Sequence, residues 1–545
     1  MSLTNTATAA ATELMRVTPT QLRTMLADGD EIAVLDVREE GVYARDGHLL
    51  LVSNVPLSHI ETRLLPLVPR KSVRIVVCDG NDGLAERAAA RMQKAGYTNV
   101  MLLAGGTPAW AAAGFPLYTG VYVPSKAFGE YVHHHDKPPE VTPEQLAQWK
   151  QQPGELLIVD SRPLAEYRRN TIPGSIDCPS AELAYRVHDM VQSPQTRVVV
   201  NCGGRTRAII GAQSLINAGL ENPVFALQNG TQGWHLAGLE LAKGCTDQAP
   251  LPTVKGLARA QAAAARVAKR FGVQTITKQR LQELQQDPER TVYLLDVRSP
   301  EEFIEGHLPG SVPAQGGQLV QETDTYIGVR NATVVLVDDN GVRATMTAAW
   351  LVQMGWAQVY VLEKAFEGVA LRSGPWAKPM LEIDAVRASI VSAVELKHLL
   401  AAGQAQVVDL ATSLEYREGH IAGAWHAVRS RFDRDLAKVP HASVLVLTSP
   451  DGVLARVAAG DAMPHVRGTV KVLDGGNAAW RAAKLPFEQG DERMTGPDDD
   501  MRYKALDQPK DVEQAAREYL KWEIELMDAI ESDPDFGFKR FAKAG

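Results

Sequence analysis

The chain carries the stretch EIAVLDVR (31–38) and repeats its pattern three more times, as ELLIVDSR (155–162), TVYLLDVR (291–298) and AQVVDLAT (405–412). Each stretch is a short apolar run that ends in an aspartate, which is typical of a buried β-strand leading into a loop. Consecutive aspartates lie about 113 to 136 residues apart, a spacing of whole domains and not of solenoid repeats. The sequence therefore predicts four domains that arose by duplication.

Further signals follow each aspartate in one order. An aromatic residue comes at a similar distance in every copy, at Tyr43, Tyr167, Phe303 and Tyr416. A β-branched run then leads through a loop into an Ala-rich amphipathic stretch, and a second apolar run comes next. In three copies this run precedes a turn and a tryptophan, namely Trp110, Trp234 and Trp480. Alternating strands and helices predict an α/β fold in which each copy is a small doubly wound, mainly parallel sheet flanked by helices.

The composition is that of an ordinary folded protein, with 545 residues of which 45% are hydrophobic and 22% charged. The formal net charge of -8 gives no basic field, so neither nucleic acid nor an anionic membrane is an expected partner. No apolar run reaches the roughly 18 residues that span a bilayer, and residues 1–16 lack the pattern of an export signal. Only Cys78, Cys178, Cys202 and Cys245 are present, too few to staple a chain of this length. We expect a cytoplasmic protein with free thiols.

The order of these motifs resembles that of the rhodanese family. It consists of Asp-x-Arg after a strand, a Gly-His-Ile/Leu-Pro-Gly turn as at 306–310, a strand-loop-helix that can carry cysteine, and a Gly-Gly-x-x-x-Trp ending. The resemblance spans about residues 17–490 and implies sulfane sulfur transfer by four tandem rhodanese-like domains, at 17–120, 141–244, 273–378 and 389–490. Three stretches are the expected boundaries between copies: the polar, Pro-containing segment 118–140, the Ala/Arg-rich, helix-like stretch around 256–271 and a linker near 375–388. Residues 491–545 follow as a tail whose periodicity predicts a helix that packs across domains or contacts a partner subunit.

The loop of the second copy, Cys-Gly-Gly-Arg-Thr-Arg at 202–207, has the chemistry expected of a sulfur carrier. Cys202 precedes a helix N-terminus, whose unpaired N–H groups stabilise a thiolate or an incoming anion. Two glycines let the loop curl so that these groups converge, and two arginines favour the thiolate and hold an anionic donor such as thiosulfate. We predict Cys202 as the catalytic residue and, as substrate-binding residues, Gly203, Gly204, Arg205, Thr206 and Arg207.

The other three copies differ at this loop. The first presents Cys78 at the start of its loop, followed by Asp79 and Asp82, which disfavour a thiolate, so Cys78 is a candidate secondary sulfur carrier or a vestigial site. The third copy has Asp338 at the cysteine position and the fourth copy has no sulfur in residues 448–452. We expect these two copies to be inactive supports or recognition surfaces.

Several other polar residues have ordinary structural interpretations. Cys178 and Cys245 lie outside the strand-to-helix loops. Asp160 and Arg162 recur in copies whose loops differ, which predicts a structural ion pair. The triplet 133–135 of histidines is interpreted as part of a solvated, extended linker that binds no metal, because neighbouring side chains on an extended chain point apart.

The resemblance implies a two-step exchange in which Cys202 takes sulfur from an anionic donor and passes it to cyanide or a thiol, with no cofactor. Small sulfur-containing anions and thiol acceptors are the expected partners, while the physiological donor, a homo-oligomer and a protein acceptor stay open. A cysteine phosphatase is one alternative, but such enzymes use Cys-x5-Arg, whereas Cys202 and Arg207 form the shorter Cys-x4-Arg. The other alternative is a scaffold or sulfur-relay protein that forms its persulfide only with a partner.

Overall fold

The computed structural model describes residues 14–381, 388–508, 510–531, 533 and 537–541. It contains four five-stranded parallel sheets, and the strand order is the same in each: first, fifth, fourth, second and third along the chain. This confirms the predicted α/β class with four tandem units. The predicted linker near 375–388 includes residues 382–387, which lie outside the described residues, as do residues 1–13 of the N-terminal stretch.

The four units repeat one series of elements. The first contains β1 (Met15–Val17), α1 (Pro19–Ala27), β2 (Ile32–Asp36), α2 (Glu40–Asp46), β3 (Ser53–Asn54), α3 (Ile60–Leu67), β4 (Arg74–Cys78), α4 (Leu84–Lys94), β5 (Val100–Leu103) and α5 (Gly106–Ala112), and α6 (Val123–Asp136) follows. The second contains β6 (Glu140–Val141), α7 (Pro143–Trp149), β7 (Leu156–Asp160), α8 (Leu164–Arg169), β8 (Ile176–Asp177), α9 (Ser180–Arg186), β9 (Arg197–Asn201), α10 (Thr206–Asn217), β10 (Val224–Leu227) and α11 (Gly230–Leu236), and α12 (Val254–Phe271) follows. The third contains β11 (Gln274–Ile276), α13 (Lys278–Gln286), β12 (Val292–Asp296), α14 (Pro300–Glu305), β13 (Val312–Pro313), α15 (Gly316–Gln321), α16 (Thr323–Tyr326), β14 (Thr333–Val337), α17 (Val342–Gln353) and β15 (Val359–Leu362). The fourth contains β16 (Ser389–Val391), α18 (Ala393–Ala401), β17 (Ala405–Asp409), α19 (Ser413–Glu418), β18 (His420–Ile421), β19 (Trp425–His426), α20 (Phe432–Asp435), β20 (Val444–Thr448), α21 (Val453–Ala462), β21 (Thr469–Leu473), α22 (Gly476–Ala482) and β22 (Phe487–Glu488), and the tail forms α23 (Val512–Ile530).

The middle strand of each sheet positions the loop of interest. In the second unit, β9 pairs in parallel with β7 on one side and β10 on the other. Its residues Val198, Val199 and Val200 are fully buried, as expected of a parallel strand covered by helices on both faces. Ligands of open α/β sheets bind at the carboxyl ends of the strands, so the loop after β9 lies at the edge where a site is expected.

The Asp-x-Arg motif is a buried ion pair that closes the loop after the second strand. Arg162 donates to Asp160 from its backbone N–H at 3.1 Å and from its guanidinium at 2.9 and 2.7 Å. The first and third units repeat the pair. In the fourth unit, where Ala411 replaces the arginine, the Asn477 amide donates to Asp409 at 2.7 Å instead. The structural interpretation of this motif is confirmed.

Two helices between units tie the chain together. The helix predicted around 256–271 is confirmed as α12, which packs against α9 of the second unit and α17 of the third. At the same interface the buried Arg343 pairs with Glu182 at 3.0 Å. Helix α6 lies in the segment predicted as a polar linker, yet it is buried along most of its length against α10 and α23. The polar-linker interpretation of that segment is therefore wrong.

The predicted tail helix is confirmed as α23. Its apolar positions, including Ala516, Leu520, Leu526 and Ile530, are buried, and the helix packs along α6. Of the helices in the described ranges, none is both long enough and apolar enough to cross a membrane.

Candidate functional site

Cys202 lies directly beyond the carboxyl end of the central strand β9. The register pairs Asp160 of β7 with Asn201, the last residue of β9, so Cys202 is the first residue of the loop that leads into α10. Its side chain is 2% exposed. The cysteine therefore occupies the position expected of a reactive residue in this fold, but it is covered by its surroundings.

The same register identifies the equivalent residue in the other units. Each motif aspartate pairs with the last residue of the central strand, and Asp36 pairs with Cys78 itself. The residue after that strand end, equivalent to Cys202, is Asp79, Asp338 or Ser449. The expected equivalence of Cys78 and Cys202 is therefore off by one position.

Cys78 is part of the sheet and not of the loop. It ends β4, is fully buried and belongs to the apolar cluster that includes Met101 and Trp110. Burial raises the pKa of the Cys78 thiol well above its ordinary value, and the charge of Asp36 raises it further. A neutral thiol in this position has little of the nucleophilic character that a sulfur carrier needs.

The loop of the first unit is a backbone cradle that holds a carboxylate. Asp79 accepts hydrogen bonds from the N–H groups of Asn81, Gly83 and Ala85, at 2.8, 3.1 and 3.0 Å. Convergent N–H groups at the start of a helix form an anion-binding site. The first unit therefore fills its own anion site with Asp79.

The third unit repeats this arrangement and the second replaces the carboxylate by sulfur. Asp338 accepts from the N–H groups of Gly341 and Ala344 at 2.6 and 3.1 Å. In the second unit, Cys202 stands in the cradle, and Ala208 lies six residues further on, as Ala344 does after Asp338. The sequence predicts Cys202 as an anionic centre, and the loops of the first and third units hold carboxyl groups at the equivalent position.

The surroundings of Cys202 contain groups that raise the pKa of its thiol and groups that lower it. Burial raises the pKa of the Cys202 thiol, and the carboxylate of Glu523 adds to the rise. The Arg207 guanidinium and the backbone N–H groups of Ala208 and Gly204 act to lower the same pKa. Burial dominates, so the free thiol is a weaker acid than an exposed cysteine.

The two loop arginines are already paired with carboxylates. Arg205 forms a two-point contact with Glu130 of α6, at 2.6 and 3.0 Å, and both side chains are buried. Arg207 makes a similar contact with Glu166 of α8, at 3.0 Å to each oxygen. The Arg205 guanidinium is thus held by Glu130, and its predicted contact with an anionic donor stays a prediction. Arg207 retains an electrostatic influence on Cys202.

The two loop glycines differ in what surrounds them. Neither Gly203 nor Gly204 has a positive φ, so the loop does not need glycine for its backbone conformation. A Cβ on Gly204 would lie 3.0 Å from Tyr519 Cε1 and 3.1 Å from Glu523 Oε2. Gly204 therefore makes room for α23, which covers the loop.

Helix α23 and helix α6 complete the surroundings of Cys202. The hydroxyl of Thr206, predicted to bind substrate, donates to Glu523 Oε1 at 2.5 Å. Lys126 of α6 donates to the Tyr519 hydroxyl at 2.5 Å and lies 3.8 Å from Glu523 Oε1. Sequence reasoning missed Lys126, Tyr519 and Glu523, because nothing in the local pattern of either helix indicates which unit it covers.

The histidine triplet lies on a helix and not on an extended chain. It falls in the last turns of α6, where Glu130, His133 and His134 bring potential metal-ligand atoms within 4.8 Å of one another. Each carboxylate oxygen of Glu130, however, already accepts a hydrogen bond from Arg205. A cation at this cluster would compete with a buried guanidinium for the same carboxylate.

Comparison with known proteins identifies all four units. The model of the rhodanese-like domain matches residues 18–113, 142–237, 277–371 and 392–483. The crystal structure of thiosulfate sulfurtransferase from Pseudomonas aeruginosa superposes with a TM-score of 0.92 and 41% identity, over 97% of this chain and 100% of that chain. A curated relative, the HTH-type transcriptional regulator Rv0324 of Mycobacterium tuberculosis (strain ATCC 25618 / H37Rv), is 33% identical over 95 residues, which are 17% of this chain and 41% of the relative. The matched segment thus spans less than half of that regulator's length.

Proposed function

This chain belongs to the rhodanese-like family and is a sulfurtransferase, and we propose that it carries sulfane sulfur as a persulfide on Cys202. In this proposal the donor is a small sulfur-containing anion such as thiosulfate, and the acceptor is cyanide or a thiol. The similarity over the full chain to a thiosulfate sulfurtransferase supports that donor.

One observation carries the assignment to Cys202. The cradle that faces Cys202 in the second unit holds the carboxylates of Asp79 and Asp338 in its sister units. A site that binds a carboxylate through backbone N–H groups also stabilises a thiolate, a persulfide anion or the oxygens of an incoming oxyanion. Among the four equivalent positions, 79, 202, 338 and 449, only position 202 offers sulfur.

The exchange balances as two nucleophilic displacements. The Cys202 thiolate attacks the outer sulfur of thiosulfate, the bond between the two sulfurs of thiosulfate breaks, and sulfite leaves with the electron pair. The enzyme then holds Cys202-S-S⁻, whose charge lies in the backbone cradle. An acceptor nucleophile attacks the terminal sulfur, and Cys202 departs as the thiolate. No metal or organic cofactor takes part in either step.

The other units carry no sulfur under this proposal. Asp79, Asp338 and Ser449 fill the positions equivalent to Cys202, and none of them forms a persulfide. Cys78, the candidate secondary carrier, ends a buried strand and is left out of the proposal. We assign the first, third and fourth units to the scaffold around the second. The first is followed by α6, Gln318 of the third accepts a hydrogen bond from Arg207 at 2.8 Å, and Glu418 of the fourth pairs with Arg169 at 3.0 Å.

The proposal is tested by thiocyanate formation from thiosulfate and cyanide. We expect Cys202→Ser to abolish turnover, because an alkoxide at this position forms no persulfide. Cys78→Ser is the matched control, and its turnover should equal that of the wild type. Full activity in Cys202→Ser, or loss of activity in Cys78→Ser alone, would remove Cys202 from the mechanism.

A further inference from the structure

The carboxylate of Glu523 has one oxygen bound and one oxygen free. Glu523 lies on α23 and is fully buried. Its Oε1 accepts the Thr206 hydroxyl at 2.5 Å and lies 3.8 Å from the Lys126 ammonium. Its Oε2 is buried and accepts no hydrogen bond from any residue in the described ranges. Buried carboxylate oxygens are almost always hydrogen-bonded, so the free oxygen calls for a functional explanation.

The free oxygen faces the loop that holds Cys202. A Cβ built on Gly204 would lie 3.1 Å from Glu523 Oε2, which places this oxygen over the loop only two residues from the cysteine. The Gln232 amide lies on the same side, 3.5 Å from that Cβ position. Glu523 Oε2 is thus an unused hydrogen-bond acceptor at the loop where sulfur is exchanged.

A negative charge at this point does not help the first half of the reaction. Thiosulfate has only acceptor atoms, so it cannot satisfy Glu523 Oε2 and is repelled by it. The same charge also raises the pKa of the Cys202 thiol. A group that opposes donor binding and thiolate formation therefore has its use in the second half of the reaction, where the acceptor enters.

We propose that Glu523 selects a protonated thiol as the sulfur acceptor and takes up its proton during transfer. This inference rests on the Cys202 persulfide proposed above and specifies the acceptor class. A thiol brings an S–H donor that pairs with Glu523 Oε2, whereas the cyanide anion, the form that attacks sulfur, has no proton to give. Thr206 and Lys126 hold the carboxylate in place through its other oxygen.

The step balances in atoms, charge and electrons. The S–H proton of the acceptor passes to Glu523 Oε2 as the acceptor sulfur attacks the terminal sulfur of Cys202-S-S⁻. A new sulfur–sulfur bond forms, the bond to Cys202 Sγ breaks, and its electron pair leaves Cys202 as a thiolate. The product is a persulfide anion of the acceptor, and Glu523 releases its proton to solvent when that product departs.

The test compares thiol and cyanide as acceptors in the full-length variant Glu523→Gln. Glutamine keeps the shape and an oxygen for the Thr206 hydroxyl but cannot take up a proton. The protein is loaded with thiosulfate, and the loss of the Cys202 persulfide is followed by mass in single turnovers with dithiothreitol, an uncharged thiol, or with cyanide. Glu525→Gln is the matched control, since Glu525 is exposed on the same helix.

We expect Glu523→Gln to slow discharge by dithiothreitol by about 100-fold, at the lower end of what general acid–base catalysis contributes. Discharge by cyanide should be unchanged or faster, and Glu525→Gln should match the wild type with both acceptors. Equal slowing with both acceptors would indicate a merely structural role and overturn the inference, as would unchanged discharge by dithiothreitol. Failure of every protein to load sulfur on Cys202 would instead overturn the proposed function, and this inference would fall with it.

Discussion

The contact between α23 and the Cys202 loop predicts opposite outcomes for two neighbouring glycines. Gly203→Ala adds a methyl group whose nearest neighbour outside the loop is Arg162 Cδ at 3.9 Å, an ordinary van der Waals distance. Gly204→Ala adds one whose neighbours are Tyr519 Cε1 at 3.0 Å and Glu523 Oε2 at 3.1 Å. Neither position has a positive φ, so neither variant carries the strain of a left-handed backbone. Only the second methyl group pushes against α23.

The size of the destabilisation follows from the steric overlap between the methyl group of Gly204→Ala and α23. Carbon atoms pack at about 3.5 to 4.0 Å, so α23 must move away by roughly half an ångström or more. Overpacking of this kind costs about 1–3 kcal/mol. This cost corresponds to an approximately 5- to 150-fold increase in the equilibrium constant for local opening of α23.

Hydrogen exchange followed by mass spectrometry measures that opening directly. Peptides from 512–530 should exchange faster by this factor in Gly204→Ala, and they should exchange at the wild-type rate in Gly203→Ala. Peptides from the distant β20 should exchange equally in all three proteins. Equal protection of α23 in both variants would refute the packing of this helix on the loop.

Two further predictions concern the electrostatics of the site. Burial raises the pKa of the Cys202 thiol above the ordinary value of about 8.5, so the thiolate fraction grows as pH rises. The rate of sulfite release in a single turnover should therefore increase about tenfold per pH unit up to at least pH 8.5. A rate that is independent of pH between 6 and 8 would contradict this. Glu130→Gln removes the charged partner of the buried Arg205 and should destabilise the protein by about 3–5 kcal/mol, which is measured as a lower Tm. The control Glu144→Gln, at an exposed position, should leave the Tm unchanged. Equal Tm values for the two variants would rule out a stabilising ion pair between Glu130 and Arg205.

The fold could be predicted from the sequence because its signals recur. One weak motif such as EIAVLDVR predicts little, but the same order of strand, aromatic, turn and strand in four copies leaves few alternatives to a parallel sheet with flanking helices. Cys202 could be predicted as the sulfur-carrying candidate for a local reason, since its loop joins a strand to a helix N-terminus. Both inferences depend on residues close together in the chain.

The features of the site that depend on strand register or on tertiary contacts could not be predicted from the sequence. Cys78 and Cys202 each follow an apolar run, and only the pairing of Asp36 with Cys78 reveals that Cys78 still belongs to the strand. The charges of Arg205 and Arg207 are apparent in the sequence, but their carboxylate partners come from α6 and α8. A charge that looks available in a loop motif can therefore already be neutralised by a residue that is distant in sequence.

Helices α6 and α23, which cover the Cys202 loop, show the same limit of prediction from sequence. The periodicity of 512–531 predicts a helix, and the structure confirms it, but amphipathicity does not identify the surface to which the helix binds. The histidine triplet lies in a polar, Pro-containing segment, which predicts an extended linker, whereas burial against α10 and α23 stabilises a helix there. For this reason, the residues of these helices that surround Cys202 could not be predicted from the sequence.

The intact mass of the protein after treatment with thiosulfate shows directly whether Cys202 carries the sulfur. We expect a gain of one sulfur atom in the wild type and in Cys78→Ala, removed by cyanide, and no gain in Cys202→Ala. A cyanide-sensitive gain that persists in Cys202→Ala, or one that is lost only in Cys78→Ala, would contradict it.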